Sequence, residues 1–342
     1  MFSDVIRSAL NEVVVGQSRA INGVIPGVTR VLSGATPREH SWCAFLLLGP
    51  VGTGKSSLIR GLAQTLHGDE RRVAIADCAQ CVGPDPWAPL VLQLAPLFRA
   101  PSPGGDPGLL SAPPGSIIQI QRLERAPKEV PRMLASAFDT GTLPLPMNQR
   151  ASLRNTMIFL TSSLCAREIL DEPTHIGFAG SLEAEEEEAE HDRIHEICLK
   201  RVEEQFGEEL AGRVDGLVVF HRLEEMHLAG VLERRVARLN QWLAGRGVRC
   251  EMRSAAEEFL LRRGKSDLRL GARDLVRAHR RYVEFPLADL LVSDRLHPGG
   301  VVVVDRQGDE DHLHFTVNPD QMSPQYQAPR EVPVVWEEEP TH

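Results

Sequence analysis

Long apolar runs are missing from this sequence, and no stretch approaches the length that crosses a bilayer as a helix, which excludes a membrane-spanning helix. The opening Met1-Phe2-Ser3-Asp4-Val5-Ile6-Arg7 has no charged leader followed by an apolar stretch, so the expected location is cytoplasmic. A basic excess is missing too. The 342 residues carry 38 Lys and Arg against 47 Asp and Glu, a formal net charge of -9. That balance argues against a broad nucleic-acid footprint, because counterion-driven binding needs clustered cations. The six cysteines lack a pattern. Their close pair, Cys78 and Cys81 in a C-x-x-C spacing, has no second pair to complete a zinc site, so reduced core or loop thiols are expected. What remains is ordinary for a globular chain: 42% hydrophobic and 25% charged residues, enough for one large domain and a smaller one.

Against that background one stretch stands out. Gly49-Pro50-Val51-Gly52-Thr53-Gly54-Lys55-Ser56 fits G-x-x-x-x-G-K-[ST] at every fixed position. The apolar run Phe45 to Leu48 enters it as a buried strand, and Leu58, Leu62 and Leu66 leave it with helical spacing. The glycines let backbone N–H groups close around a phosphate at the positive end of the helix. Lys55 reaches the terminal phosphates, and Ser56 is placed to hold Mg²⁺.

Residues 1 to about 40 read as a helical lead-in, with Val13-Val14-Val15-Gly16-Gln17 starting the ordered part and Pro26 interrupting the helical spacing from Ala20 to Leu32. Arg72 to Asp77 reads as the next strand of a parallel α/β sheet. Residues 84–114 hold nine prolines, which predicts a long surface loop with one short helix around Leu90 to Leu97. Order returns with a strand at Ser116 to Ile120, a helix at Val130 to Phe138 and a strand at Asn155 to Thr161. The acidic run Glu183 to Asp192 reads as a solvated face or loop merging into a helix through Val202. Leu217 to Phe220 is the last strand of the first domain. Helices follow at Met226 to Leu243, Ala255 to Arg263 and Ala272 to Leu291, then a hairpin, Gly300 to Asp305 with His312 to Val317. The expected division is a large nucleotide-binding domain over 1–220, a small mainly helical domain over 221–318 and a disordered tail over 319–342.

These pieces in this order resemble the AAA+ ATPases of the Clp family, in particular the second ATPase module of ClpB and ClpC, from about Val14 to Val304. The resemblance implies an AAA+ phosphate-loop parallel sheet flanked by helices, a small Clp-type C-terminal domain, and ATP with Mg²⁺ as cofactors. Val14-Val15-Gly16-Gln17 is similar to the family's adenine-contacting segment, and Arg154-Asn155-Thr156 sits where the sensor-1 strand begins. Phe206 to Asp215 is similar to the segment that carries the arginine finger, which gives Arg213 that role. Gly271-Ala272-Arg273 matches the sensor-2 motif. By analogy Arg273 contacts nucleotide within its own subunit and Arg213 reaches a neighbour's site, so homo- or hetero-oligomeric ring partners are implied.

The departures decide the chemistry. Where the family has a strand ending in Asp-Glu, this chain reads Ile117-Ile118-Gln119-Ile120-Gln121-Arg122-Leu123-Glu124. An amide at Gln121 lacks the charge that helps secure Mg²⁺, and a guanidinium at Arg122 accepts no proton from the attacking water. Arg122 would instead set a cation near the γ-phosphate. The sensor-1 asparagine position holds Ser163, a shorter side chain. The pore loop lacks its aromatic between glycines; Phe98 is the nearest candidate, and packing is its expected fate. Ile176-Gly177-Phe178 lies where peptidase-associated members carry a similar tripeptide that docks on a ClpP-like peptidase, against the alternative that it tucks into its own domain.

The expected function is therefore an ATP-binding, Clp-like chaperone or unfoldase-type subunit with impaired hydrolysis, acting as a nucleotide-dependent scaffold or a regulatory member of an assembly. A working unfoldase acting on a protein client is the alternative, with its acid drawn from Asp77 or from Glu124, the latter requiring the strand to re-register. An unrelated phosphate-loop kinase would leave the Arg213 and Arg273 matches unexplained.

Overall fold

The structure is a computed structural model that describes residues 2–34, 42–100, 106, 108–171, 181–265, 268–293, 295–308 and 310–318, the backbone alone at 181–187, 268 and 318. Two compact units meet in sequence at Arg222 and Leu223.

The first unit runs α1 (Phe2–Val13), α2 (Ser18–Ser33), β1 (Cys43–Leu48), α3 (Lys55–His67), β2 (Val73–Asp77), α4 (Trp87–Leu94), β3 (Leu109–Ser111), β4 (Ser116–Gln121), α5 (Glu129–Thr140), β5 (Thr142–Pro144), β6 (Arg150–Ser152), β7 (Thr156–Ser162), α6 (Ala166–Leu170), α7 (Ser181–Phe206), α8 (Glu208–Ala211) and β8 (Gly216–Val219). Five of these strands form one parallel sheet in the order β2-β4-β7-β1-β8. All six residues of β1 are buried, as expected where helices cover both faces of a parallel sheet. Successive side chains take opposite faces. Cys43, Phe45 and Leu47 join the core that α1, α2 and α3 cover, while Ala44, Leu46 and Leu48 join the core under α4, α5 and α7. The register sets Asp77, Gln121 and Thr161 side by side at the C-terminal edge of the sheet. In open α/β sheets that edge is where ligands bind.

Several local expectations need correction. Order begins at Phe2 rather than Val13, because Ile6 and Leu10 of α1 are fully buried in the first core. Pro26 does not interrupt α2, which runs through it. A proline inside a helix costs about 3 kcal/mol, but α2 buries Ile21, Val24, Ile25, Val28 and Val31, each worth roughly 1.5–3 kcal/mol. The proline-rich stretch is less of a surface loop than its composition suggests. Trp87, Leu90, Val91 and Leu94 of α4 enter the second core together with Phe98, which is 7% exposed. Phe98 is packed, as expected of it. The acidic run is part of a single helix, α7. A small sheet of β3, β6 and β5 was not anticipated, its strands being three residues each. Residues 176–178 and the tail from 319 lie outside the described residues.

The second unit runs α9 (Glu225–Ala244), β9 (Arg249–Met252), α10 (Ser254–Gly264), α11 (Arg273–His279), α12 (Phe285–Val292), β10 (Val301–Asp305) and β11 (His314–Asn318). The expected helix from Ala272 to Leu291 holds a π-helical turn, Arg280–Glu284, between α11 and α12. Pro286 follows at once. Having no N–H to give, it favours such a break in the ladder. The strands form a sheet of order β11-β10-β9, of which β9 was unforeseen. Its core holds Leu228, Leu260, Leu275, Val283, Val302 and Val304.

Candidate nucleotide-binding site

β1 delivers the chain into the glycine-rich turn at the middle of the sheet. Gly49, Gly52 and Gly54 have φ of 134°, 80° and 111°, a region that side chains disfavour. At Gly49 the requirement is also spatial, since a Cβ there would lie 2.3 Å from the Phe220 carbonyl oxygen. Thr53, 2% exposed, donates its hydroxyl to Pro50 O at 2.9 Å. α3 then starts at Lys55 with Gly54 as its N-cap and no side-chain cap bond. The leading amides of a helix capped by no side chain, at the positive end of its dipole, suit a phosphate. Lys55 Nζ donates to Gly49 O at 2.6 Å and Pro50 O at 2.8 Å, folding the ammonium over the turn. The turn, the helix start and the cation fit a polyphosphate.

The segment expected to contact adenine is tied down in a way the sequence did not reveal. Val14 is 3% exposed, Val15 is half-buried, and Val14 lies beside Gly54. Gln17, 2% exposed, donates Nε2 to His221 O at 2.9 Å and accepts from His221 N at 3.1 Å. The His221 ring meets His191 of α7, Nε2 to Nδ1 at 2.8 Å. Burial, then His191 and Arg19, push the His221 imidazole down to about 4.

The side of the site expected to face a metal is built differently from the expectation. Ser56 Oγ accepts from Gln119 Nε2 at 3.1 Å. Gln119 is 1% exposed, two residues before Gln121 on β4 and so on the same face. Reading only the terminal pair of the strand missed it. Its signal was present: a polar residue at the centre of a buried apolar strand. Ser56 alone offers one neutral oxygen, and Gln119 adds a neutral amide, not a carboxylate.

The carboxylate that ends β2, Asp77, and the one that follows β4, Glu124, are both engaged. Arg122, in left-handed backbone at φ 56°, donates Nε to Asp77 Oδ1 at 2.8 Å, and its Nη2 pairs with Oδ2. That hydrogen-bonded guanidinium holds the Asp77 carboxyl below its ordinary range. Arg122 therefore turns to Asp77, an ion pair that the sequence did not reveal. The left-handed residue ends β4 and starts the 3-10 turn Leu123–Arg125. That turn carries Glu124 without any strand re-registration. Glu124 accepts from Ser162 Oγ at 2.7 Å, Ser163 Oγ at 2.7 Å and Ser163 N at 3.2 Å. Burial would raise its carboxyl, but these hydrogen bonds outweigh it and hold the group below the usual glutamate value.

Arg213 donates Nε to Asp139 Oδ1 at 2.5 Å and Nη1 to Glu209 O at 2.8 Å. Two residues on, Asp215 Oδ2 accepts from Ala44 N at 2.8 Å, fixing this segment to β1. In the second unit Arg273 is exposed as the first residue of α11, after Gly271 at φ 58°.

The first unit is thus a phosphate-loop α/β module with a parallel sheet of order β2-β4-β7-β1-β8, followed in sequence by a small helical unit. The AAA domain of the Cdc48 subfamily matches residues 40–217, and the C-terminal D2-small domain of ClpB protein matches residues 223–304. The chain belongs to the AAA+ family, with a second unit of the Clp type. It is 28% identical over 306 residues to the ATP-dependent Clp protease ATP-binding subunit ClpC of Staphylococcus aureus, covering 89% of this chain and 37% of that protein. ClpC of Staphylococcus saprophyticus is also 28% identical, over 92% of this chain and 38% of its own. This chain therefore spans little more than a third of those relatives. Among solved structures, a closed-state reconstruction of Hsp104 with ATPγS and FITC casein has a TM-score of 0.69 at 22% identity, over 92% of this chain and 51% of that one. The Saccharomyces cerevisiae Hsp104-ADP complex has 0.69 at 21%, over 91% and 52%.

Proposed function

We propose that this chain is an ATP-holding Clp-type subunit in which hydrolysis is severely impaired, serving as a nucleotide-dependent scaffold or a regulatory member of an assembly. The observation that carries the reading is the joint state of the metal side: Gln121 and Arg122 stand where the family has its acidic pair, and Gln119 rather than a carboxylate meets Ser56. The phosphate loop, Lys55 and the Val14-Val15 segment would supply affinity for ATP. Ser56 would hold Mg²⁺, which neutralises phosphate charge when bound, and its hydrogen-bond partner there is the neutral amide of Gln119 rather than a carboxylate.

The alternative of a working unfoldase needs a general base. Glu124 is the better placed of its two candidates, at Ser163. Three donors already occupy its carboxylate and lower its basicity, so Ser163 on this reading positions Glu124 and not a water. Arg273 would contact nucleotide in its own subunit, and Arg213 would reach a neighbour's after leaving Asp139. Ring partners, a protein client and a ClpP-like peptidase at 176–178 belong to the same proposal. The experiment is to load the purified chain with ATP and Mg²⁺, remove free nucleotide and identify what stays bound. Intact ATP, lost on Lys55→Ala, is expected; bound ADP would overturn the reading.

A further inference from the structure

The hairpin at the end of the second unit carries a cluster that nothing above uses. β10 and β11 pair antiparallel, Asp305 opposite His314. Along this edge Leu313 and Phe315, each 3% exposed, enter the core. The alternation of a strand puts His314 on the other face, with His312 two residues before it. The turn brings Glu310 to both. Glu310 Oε2 lies 3.1 Å from His312 Nε2 and also pairs with His314 Nε2. The imidazole centroids stand 4.7 Å apart, and one ligand atom from each of the three side chains lies within 4.8 Å of the others. The turn itself is pinned, since Arg306 Nε donates to Glu310 O at 3.0 Å and Arg263 of α10 pairs with Asp311.

We propose that Glu310, His312 and His314 form a zinc site that clips the β10–β11 turn. Two imidazole nitrogens and one carboxylate oxygen are a His₂Glu donor set, which suits zinc with a water in the fourth position. Imidazole favours zinc, copper and nickel over magnesium, whose preference is for oxygen donors. Ligand atoms about 2.0–2.1 Å from a tetrahedral zinc stand roughly 3.3 Å from one another, so the 3.1 Å between Glu310 and His312 is already close to the bound spacing. Each imidazole would bind as the neutral ligand through the Nε2 that now faces Glu310, its ring proton carried on Nδ1. The site differs from the magnesium site of the phosphate loop in donor type and in unit.

The test is calorimetric titration of the full chain with ZnCl₂ in a buffer that does not chelate, with excess Mg²⁺ throughout. The wild type is expected to take up one zinc that His312→Ala with His314→Ala loses, with affinity down on the order of tenfold or more, since even outer-shell partners of metal ligands are worth 10–100-fold. Zinc should also raise the melting temperature of the wild type and not of the double variant. The histidines lie on the outward face, so circular dichroism should be unchanged; if that variant misfolds, the near-isosteric Glu310→Gln carries the same expectation. No stoichiometric zinc uptake by the wild type, or equal affinity in wild type and variant, would overturn the proposal.

Discussion

At the scale of single residues the account turns on Gln119, Arg122 and Gly49. Gln119 holds Ser56 through a neutral amide. Gln119→Glu places a nearly isosteric carboxylate there, and a charged hydrogen-bonding group of this kind is worth about 1.5–3 kcal/mol. Nucleotide affinity measured by fluorescent titration should then become about tenfold more dependent on Mg²⁺; affinity indifferent to Mg²⁺ in both proteins would remove Gln119 from the metal side. Gly49→Ala should cost stability, on the order of 1–3 kcal/mol for a side chain forced into left-handed backbone, and more for the clash with Phe220 O, read from denaturant midpoints. The phosphate loop was legible because its chemistry is bound to a contiguous pattern. Arg122 was legible as a substitution but not as a partner of Asp77, since that pairing comes from neighbouring strands 45 residues apart.

At the scale of elements, the three-residue strands β3, β5 and β6 were too short to show a period, and β9, Arg249-Cys250-Glu251-Met252, lacks the apolar run that made the equally short β8 readable. Pro26 shows where local preference yields to packing. It is exposed on α2, so Pro26→Ala removes no core contact and restores a backbone donor. A net gain of about 1–2 kcal/mol is expected, part of the helix benefit being offset by a freer unfolded chain; an unchanged or lower melting temperature would contradict it. The junction of α7 with the end of β8 gives a pH dependence of definite sign. His221 is held neutral, its folded value about 4 against the ordinary 6.5. The unfolded chain therefore binds the extra proton between those values, and stability is complete above about pH 6.5 and falls as pH drops towards 4. The shift corresponds to roughly 3 kcal/mol at most. Denaturant midpoints at pH 7.5 and 5 should differ more in the wild type than in His221→Gln.

At the scale of the whole molecule the proposed assembly rests on residues such as Arg213, whose partners one chain's sequence does not encode. Arg213 is engaged by Asp139 within its own unit. Assembly that uses it must break that pair, so light scattering should show ATP-dependent growth that Arg213→Ala abolishes and Asp139→Asn enhances; growth indifferent to both would take Arg213 out of the interface. The central claim, that the site holds ATP and does not turn it over, is tested most directly by steady-state phosphate release from wild type, Lys55→Ala and the double variant Gln121→Asp with Arg122→Glu. The account predicts wild-type release at the level of Lys55→Ala and a gain in the double variant approaching the 10²–10⁴-fold that positioned acid–base catalysis is worth. Lys55-dependent release by the wild type at about 1 s⁻¹ or faster, the scale of ordinary enzymes, would contradict it.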